Sequence, residues 1–170
     1  MADVTDTTYR TEGRIGYLAQ LKLGDGTSPE AFSSVAHLTR ITPGSTTTEV
    51  IDVTHLRSPD RHREKIAGMR DTTPFEIEGI WVPSDESQSN AGGGTAAFQS
   101  GGGLLGLQVS AEERNWVIEF DVAQFGSPAL QWGPFAAIVT AFTPGPIEAN
   151  TPLTFTAQLT PLRDISTNLP

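Results

Sequence analysis

Residues 48–71 read T-E-V-I-D-V-T-H-L-R-S-P-D-R-H-R-E-K-I-A-G-M-R-D, and the fold of the chain turns on how this stretch is read. Residues 49–54 are rich in β-formers and predict a strand. Ser58 suits a helix N-cap, Pro59 the first helical position and Gly68 the position just past a helix end, so 60–67 predicts a short helix. Arg, Lys and Glu fill the turns between. The pattern holds no catalytic signature. It describes a rigid, charged strand-to-helix connector, suited to a contact between chains.

Outward from this connector, alternation of apolar and polar residues predicts strands. In 14–23, Ile15, Tyr17, Ala19, Leu21 and Leu23 share one face, and Gly24-Asp25-Gly26 marks a turn. Residues 32–41 read as the return strand. Residues 42–48, with Pro43-Gly44 and three consecutive Thr, read as an extended loop or hairpin tip. In 75–82, Phe75, Ile77 and Trp81 fall on one face. Residues 83–94, polar and rich in Gly and Ser, read as a flexible loop. Residues 95–107 predict a helix, with Ala97, Phe98, Gly101, Leu104 and Leu105 at helical spacing, against three consecutive Gly that each cost about 1 kcal/mol in a helix relative to Ala. In 115–122, Trp116, Ile118, Phe120 and Val122 point in and Glu119 and Asp121 point out. Residues 132–142 are apolar on both faces, predicting a strand covered on both sides. Residues 153–163 alternate Leu153, Phe155, Ala157 and Leu159 against Thr154, Thr156, Gln158 and Thr160.

Short strands between Gly, Pro and Asn turns predict a mainly β fold: a β-sandwich or partly open barrel with one or two short helices packed on it. The 170 residues read as a single domain, large enough to bury roughly 70% of its unfolded surface without a metal or disulfide. No Cys is present, which removes thiol chemistry. Residues 1–10 do not read as a signal peptide, and no apolar run reaches membrane-spanning length. The expectation is a soluble chain made in a cytoplasm, with no membrane partner.

Charge divides the chain. Residues 1–70 carry nine basic and nine acidic side chains; residues 71–170 carry two basic and eleven acidic, a net of −9. Such a surface is a poor nucleic-acid binder, because phosphate contacts need Lys and Arg.

Other chemistries find little support. His55 and His62, near Asp52 and Asp60, match no zinc spacing, and His37 stands alone in a strand. No Gly-x-Ser-x-Gly elbow frames Ser33 or Ser34. Gly92-Gly93-Gly94 and Gly101-Gly102-Gly103 lack the Lys-Ser/Thr of a phosphate loop, leaving flexibility or close packing as their use. No catalytic residue, metal or cofactor is expected. The basic cluster Arg57, Arg61, Arg63, Lys65 and Arg70 has two readings: a patch that meets the acidic half of an adjacent subunit, or a solvated helix face interleaved with Asp60 and Glu64. Asp52 either hydrogen-bonds the backbone at the strand-to-helix corner or faces water.

The run Ile51, Asp52, Val53, Thr54, Leu56, Glu64, Gly68 and Asp71, followed by Phe75-Glu76-Ile77-Glu78-Gly79 and preceded by F-S-S-V-A-H-L-T-R-I-T-P at 32–43, resembles the major tail tube proteins of long-tailed bacteriophages. The resemblance implies a non-enzymatic subunit that closes into a ring, usually a hexamer, and stacks into the hollow tube through which DNA leaves the capsid. It implies the virion tail as location after synthesis in the host bacterial cytoplasm. The terminator, tip and tape-measure proteins are the implied partners, and DNA is met only in transit. It favours the interface reading of the basic cluster and a hydrogen-bonded Asp52. Thr42, Pro43, Gly44, Thr47, Asp52, Arg57, Arg61, Arg63, Lys65 and Arg70 are the expected subunit or ring contacts. Glu76, Glu78, Glu119 and Asp121 are the expected lumen-facing acids. The alternatives are a tail terminator, joining or tail-tip ring protein, and, from another class, a monomeric β-sandwich binding module.

Overall fold

The computed structural model describes residues 18–55, 62–89, 103–120, 130–163 and Ile165. It is mainly β and antiparallel. The strands are β1 (Gln20–Gly24), β2 (Phe32–Ser34), β3 (Leu38–Thr42), β4 (Thr46–Asp52), β5 (Lys65–Thr72), β6 (Phe75–Ile80), β7 (Arg114–Glu119), β8 (Gln131–Pro144) and β9 (Thr154–Pro161). One helix, α1 (Leu104–Ser110), lies among the described residues. Seven strands form one sheet in the order β2-β1-β7-β8-β9-β6-β3, and β4 and β5 form a separate two-stranded ribbon.

The two edges of the large sheet, β2 and β3, are consecutive in the chain. In a flat sheet, six inter-strand steps would part them by about 29 Å. The connection from Ser34 to Leu38 reaches about 14 Å at full extension. The sheet must therefore curl until its edges face each other, which gives a barrel left open between β2 and β3. The return strand expected over 32–41 is accordingly two strands on opposite edges. His37, expected within a strand, sits between them at φ 59°.

The concave face holds the core. Leu21, Leu23, Phe75, Ile77, Trp116, Ile118, Phe135, Phe155 and Leu159 are buried there, each at the inward position of its strand. Phe75 stacks on Phe135 with centroids 4.9 Å apart, and Phe142 on Phe155 at 5.1 Å. The Trp116 indole N–H donates to the Ala137 carbonyl at 3.3 Å, so this buried donor is satisfied. The face of β8 expected to be covered is only half-buried at Ala136 and Ile138 and open at Thr140. An antiparallel sheet tolerates water on one side, and α1 packs its Leu104 and Leu107 into the same core as the rest.

Residues 83–89, expected as part of a flexible loop, form instead the anchor of α1. Gln88 is fully buried. Its Nε2 donates to the Ala36 and Ile80 carbonyls at 3.0 and 2.9 Å, and its Oε1 accepts from the Val82 N–H at 2.8 Å. The first helical N–H groups, of Leu104 and Leu105, donate to the Ser87 and Gln88 carbonyls. That replaces a side-chain cap, which Gly103 cannot supply. A Cβ at Gly103 would lie 2.0 Å from the Ser89 carbonyl oxygen, so this glycine serves close packing. Residues 90–102 lie outside the described residues, and the observed helix starts at Leu104 where the expected one was ending.

The expected helix over 60–67 is overturned. Lys65, Ile66 and Ala67 belong to β5, which pairs with β4 through Thr46↔Thr72, Val50↔Ala67, Ile51↔Ile66 and Asp52↔Lys65. Gly68 lies within a strand, not past a helix end, and Ser58 and Pro59 lie outside the described residues. Residues 42–48 are likewise no loop: Thr42 closes β3 and Thr46 opens β4, leaving three residues between.

Candidate assembly surfaces

The β4–β5 ribbon is the first unusual surface. All seven residues of β4 are exposed, and only Gly68 and Thr72 of β5 are half-buried. The ribbon therefore stands off from the body. Isolated two-stranded hairpins are marginal in water. This one is pinned at both ends. At its root the Thr73 N–H donates to the Ser45 carbonyl at 3.0 Å, and the Ser45 N–H donates to Thr73 Oγ1 at 2.9 Å. A Cβ on Gly44 would sit 1.9 Å from the Thr73 carbonyl oxygen, so the crossover admits only glycine. At the far end, Asp52 Oδ1 accepts from the Thr54 N–H at 2.9 Å and from the Thr54 hydroxyl. Thr54 Oγ1 in turn accepts from the Glu64 N–H at 3.0 Å, and the Val53 N–H donates to the Glu64 carbonyl. Those bonds from Thr54, its hydroxyl first, hold the Asp52 carboxyl below its ordinary value, with Lys65 adding to the effect.

What the ribbon displays is apolar on both faces. Ile51 and Ile66 are directly opposed on one face, and alternation puts Val53 with them. Val50 opposes Ala67 on the other, where Met69 also falls. Ile51, Ile66 and Met69 are 41%, 52% and 84% exposed. Scattered exposed apolar residues are ordinary, but a cluster on both sides of a projecting ribbon marks an interaction surface.

The second surface is the opening between the sheet edges. A groove of about 900 Å³ lies there, with Val35, Leu38, Ile41, Ile118, Phe120 and Trp132 among its apolar lining and Ser34, Thr39 and Arg40 among its polar lining. Both flanking strands end the sheet, and neither outer edge pairs with another strand among the described residues.

The residues singled out from sequence fall as follows. Thr42 and Pro43 lead from the β3 edge into the ribbon, Gly44 is its crossover, and Thr47 pairs with Asp71 inside it. Asp52 lies 4.0 Å from Arg63 and opposite Lys65. Arg70 lies opposite Thr48. Arg57 and Arg61 lie outside the described residues. His55 sits 3.7 Å from Glu64, and His37 3.5 Å from Asp85. Among the described residues no group of His, Asp and Glu could hold a metal.

Of the acids expected along a lumen, Glu76, Glu78 and Glu119 alternate with buried residues on the outward face of their strands but differ in their partners. Glu119 accepts from Lys22 Nζ at 2.7 Å and Gln131 Nε2 at 2.8 Å. These bonds, that from Lys22 first, hold its carboxyl below the ordinary glutamate value. Glu78 is 3.3 Å from Arg40, and Glu76 on the same strand is exposed. Asp121 lies outside the described residues. The sequence did not single out the apolar ribbon residues Val50, Ile66 and Met69: with 60–67 expected as a helix, no strand stood opposite 49–54 to gather them into one ribbon.

None of the curated protein sequences matches the chain significantly. Among solved structures, the chain is similar to a protein in the tail of an empty gene transfer agent particle with C6 symmetry, at 16% identity over 89% of this chain and 96% of that one, TM-score 0.57. It is similar to a protein of an extracellular contractile injection system's sheath/tube terminator in the extended state, at 12% identity over 89% and 94%, TM-score 0.57. It is also similar to a protein of the six-fold symmetrised anti-feeding prophage baseplate, at 12% identity over 89% and 93%, TM-score 0.55. At these identities the likeness establishes the fold. The sequence itself matches the profile of the lambda phage tail tube protein over residues 18–102, half of its length, and the chain therefore belongs to that family.

Proposed function

We propose that this chain is a structural subunit, without catalytic role, whose copies close into a ring and whose rings stack into the hollow tube that conducts DNA out of a virion. The observation that carries the reading is the β4–β5 ribbon: pinned at both ends, standing off the body and apolar on both faces. A monomer gains nothing from such an arm, whereas a ring buries it. The C6 symmetry of the similar gene transfer agent tail supports six copies per ring. In this reading all of 1–170 acts as one tail-tube unit. Thr42, Pro43, Gly44, Thr47, Asp52, Arg63, Lys65 and Arg70, with Arg57 and Arg61, belong to contacts between subunits or rings. The convex face with Glu76 and Glu78 among Thr140, Thr156 and Gln158 lines the lumen, polar and short of free cations, so DNA slides without sticking. The subunit is made in a host bacterial cytoplasm and ends in the virion tail, against tip, tape-measure and terminator proteins.

Replacing residues 46–72 by a short Gly-Ser turn tests the reading. A folded monomer that forms neither rings nor tubes is expected; tubes of normal appearance would remove the ribbon from the contacts, and a wild-type chain that forms no ring at any concentration would sink the reading. A second reading, a terminator that forms one ring and no stack, is favoured by the likeness to the sheath/tube terminator protein. Single rings at every concentration would select it.

A further inference from the structure

We propose that Met69 is an oxidation site that controls assembly: in the free subunit its thioether takes an oxygen atom from a hydroperoxide, and the resulting sulfoxide keeps the ribbon out of contacts between copies. This rests on the ring-forming role proposed above and adds its regulation.

The sequence makes the site selective. The chain has two methionines, Met1 and Met69, and no cysteine. Peroxides attack sulfur, so Met69 carries one of only two sulfur atoms open to that chemistry, and the only one on the ribbon. The pairing register places it at a β-bulge. Pairing steps from Thr48↔Arg70 to Val50↔Ala67, so Gly68 and Met69 together oppose Glu49. A bulge twists its strand and re-aims the side chains there. Met69 is more exposed than Val50, Ile51 or Ile66 on the same ribbon. The ribbon is held at its root by Ser45 and Thr73 and at its far end by Asp52, Thr54 and Glu64, so the sulfur meets solvent without any local opening.

The oxidation balances. A lone pair on the Met69 sulfur attacks the hydrogen-bearing oxygen of the hydroperoxide, and an S–O bond forms as the O–O bond breaks. Sulfur loses two electrons to the peroxide, and the proton on the transferred oxygen leaves with the departing oxygen as water or alcohol. Methionine is a flexible apolar side chain that adapts to an irregular contact, whereas its sulfoxide is polar. Burying that oxygen without a donor reverses the gain from burying the thioether. Full burial of a methionine side chain corresponds to about a 10–150-fold tightening, so the sulfoxide should raise the concentration needed for assembly by about tenfold or more. In the monomer the same oxygen points into water and the fold is unchanged. A ring therefore excludes oxidised chains and shields the reduced ones it contains. A thiol-dependent sulfoxide reductase restores the thioether, and assembly with it.

Dilute wild-type chain is treated with hydrogen peroxide, oxidation is mapped by peptide mass spectrometry, and assembly is followed by sedimentation velocity over a concentration series. Met69→Leu is treated in parallel. The expected result is Met69 sulfoxide in a monomer of unaltered resistance to denaturant, with assembly displaced by about tenfold or more and recovered after methionine sulfoxide reductase. Met69 in preformed rings should oxidise much more slowly, and Met69→Leu should keep after peroxide the assembly concentration of its own untreated form. Five outcomes would each overturn the proposal while leaving the ring-forming role intact: a Met69 thioether that peroxide leaves intact, rings at unchanged concentration from chain oxidised there, equal oxidation in rings and monomer, unfolding of the oxidised monomer, or an equal loss of assembly by treated Met69→Leu. Untreated wild-type chain that forms no ring at any concentration would remove that role and the regulation with it.

Discussion

The double variant Ile51→Thr/Ile66→Thr separates folding from assembly. The two side chains are opposed on one face of the ribbon and 41% and 52% exposed. Threonine keeps the β-branch, so the strand preference survives. In the monomer the loss is confined to one cross-strand pair, less than about 1 kcal/mol. In an assembly the half of each isoleucine now in water is buried. Full burial of such a side chain is worth about 1.5–3 kcal/mol, so each exposed half contributes roughly 1 kcal/mol and the pair roughly 2 kcal/mol per contact. That is about a 30-fold weakening of each contact. Denaturant unfolding of dilute monomer, paired with sedimentation velocity over a concentration series, reads the two quantities separately. The expected outcome is near-native monomer stability with assembly displaced to much higher concentration. An unchanged assembly midpoint, or monomer destabilised as much as assembly, would refute the assignment of these residues to a contact between copies.

Gln88→Leu leaves the Ala36 and Ile80 carbonyls and the Val82 N–H without partners, which should cost roughly 3–6 kcal/mol in denaturant unfolding; a loss under about 1 kcal/mol would show that water replaces the amide. Gly103→Ala drives a methyl into the Ser89 carbonyl, so α1 should lift, with a cost of about 1–3 kcal/mol and faster hydrogen exchange at Leu104 and Leu105. Glu119 has a depressed carboxyl pKa, so its bond to Lys22 stabilises the fold fully above the ordinary glutamate range and is lost as pH falls through the depressed value. Unfolding titrations between pH 3 and 7 should therefore show a decline on the acid side that Glu119→Gln flattens, at a cost of about 1 kcal/mol near neutrality.

The strands that line the core were legible because one face is buried and the other wet. Phe75 and Ile77, Trp116 and Ile118, and Phe155, Ala157 and Leu159 alternate cleanly for that reason. The ribbon was not legible as a hairpin because neither of its faces meets the core. With Ile51 and Ile66 on one side and Val50 and Met69 on the other, no period of two emerges. Lys65, Ala67, Met69 and Arg70 are good helix formers, and Ser58-Pro59 resembles a helix start. Pairing with β4 overrode these local preferences. Residues 83–89 misled in the same way: their polar composition suggests a loop in solvent, yet Ser87 and Gln88 are polar because they satisfy buried backbone and cap α1. Of the proposed site, the sequence singled out 42–71 and assigned a contact there to its charges; the exposed apolar residues of the same ribbon, Val50, Ile51, Ile66 and Met69, emerge only once β4 and β5 are paired.

Electron microscopy of the purified chain over a concentration series tests the central claim most directly. Hollow tubes of uniform diameter built of stacked rings, growing with concentration, are the predicted result. Dispersed monomers at every concentration would contradict it.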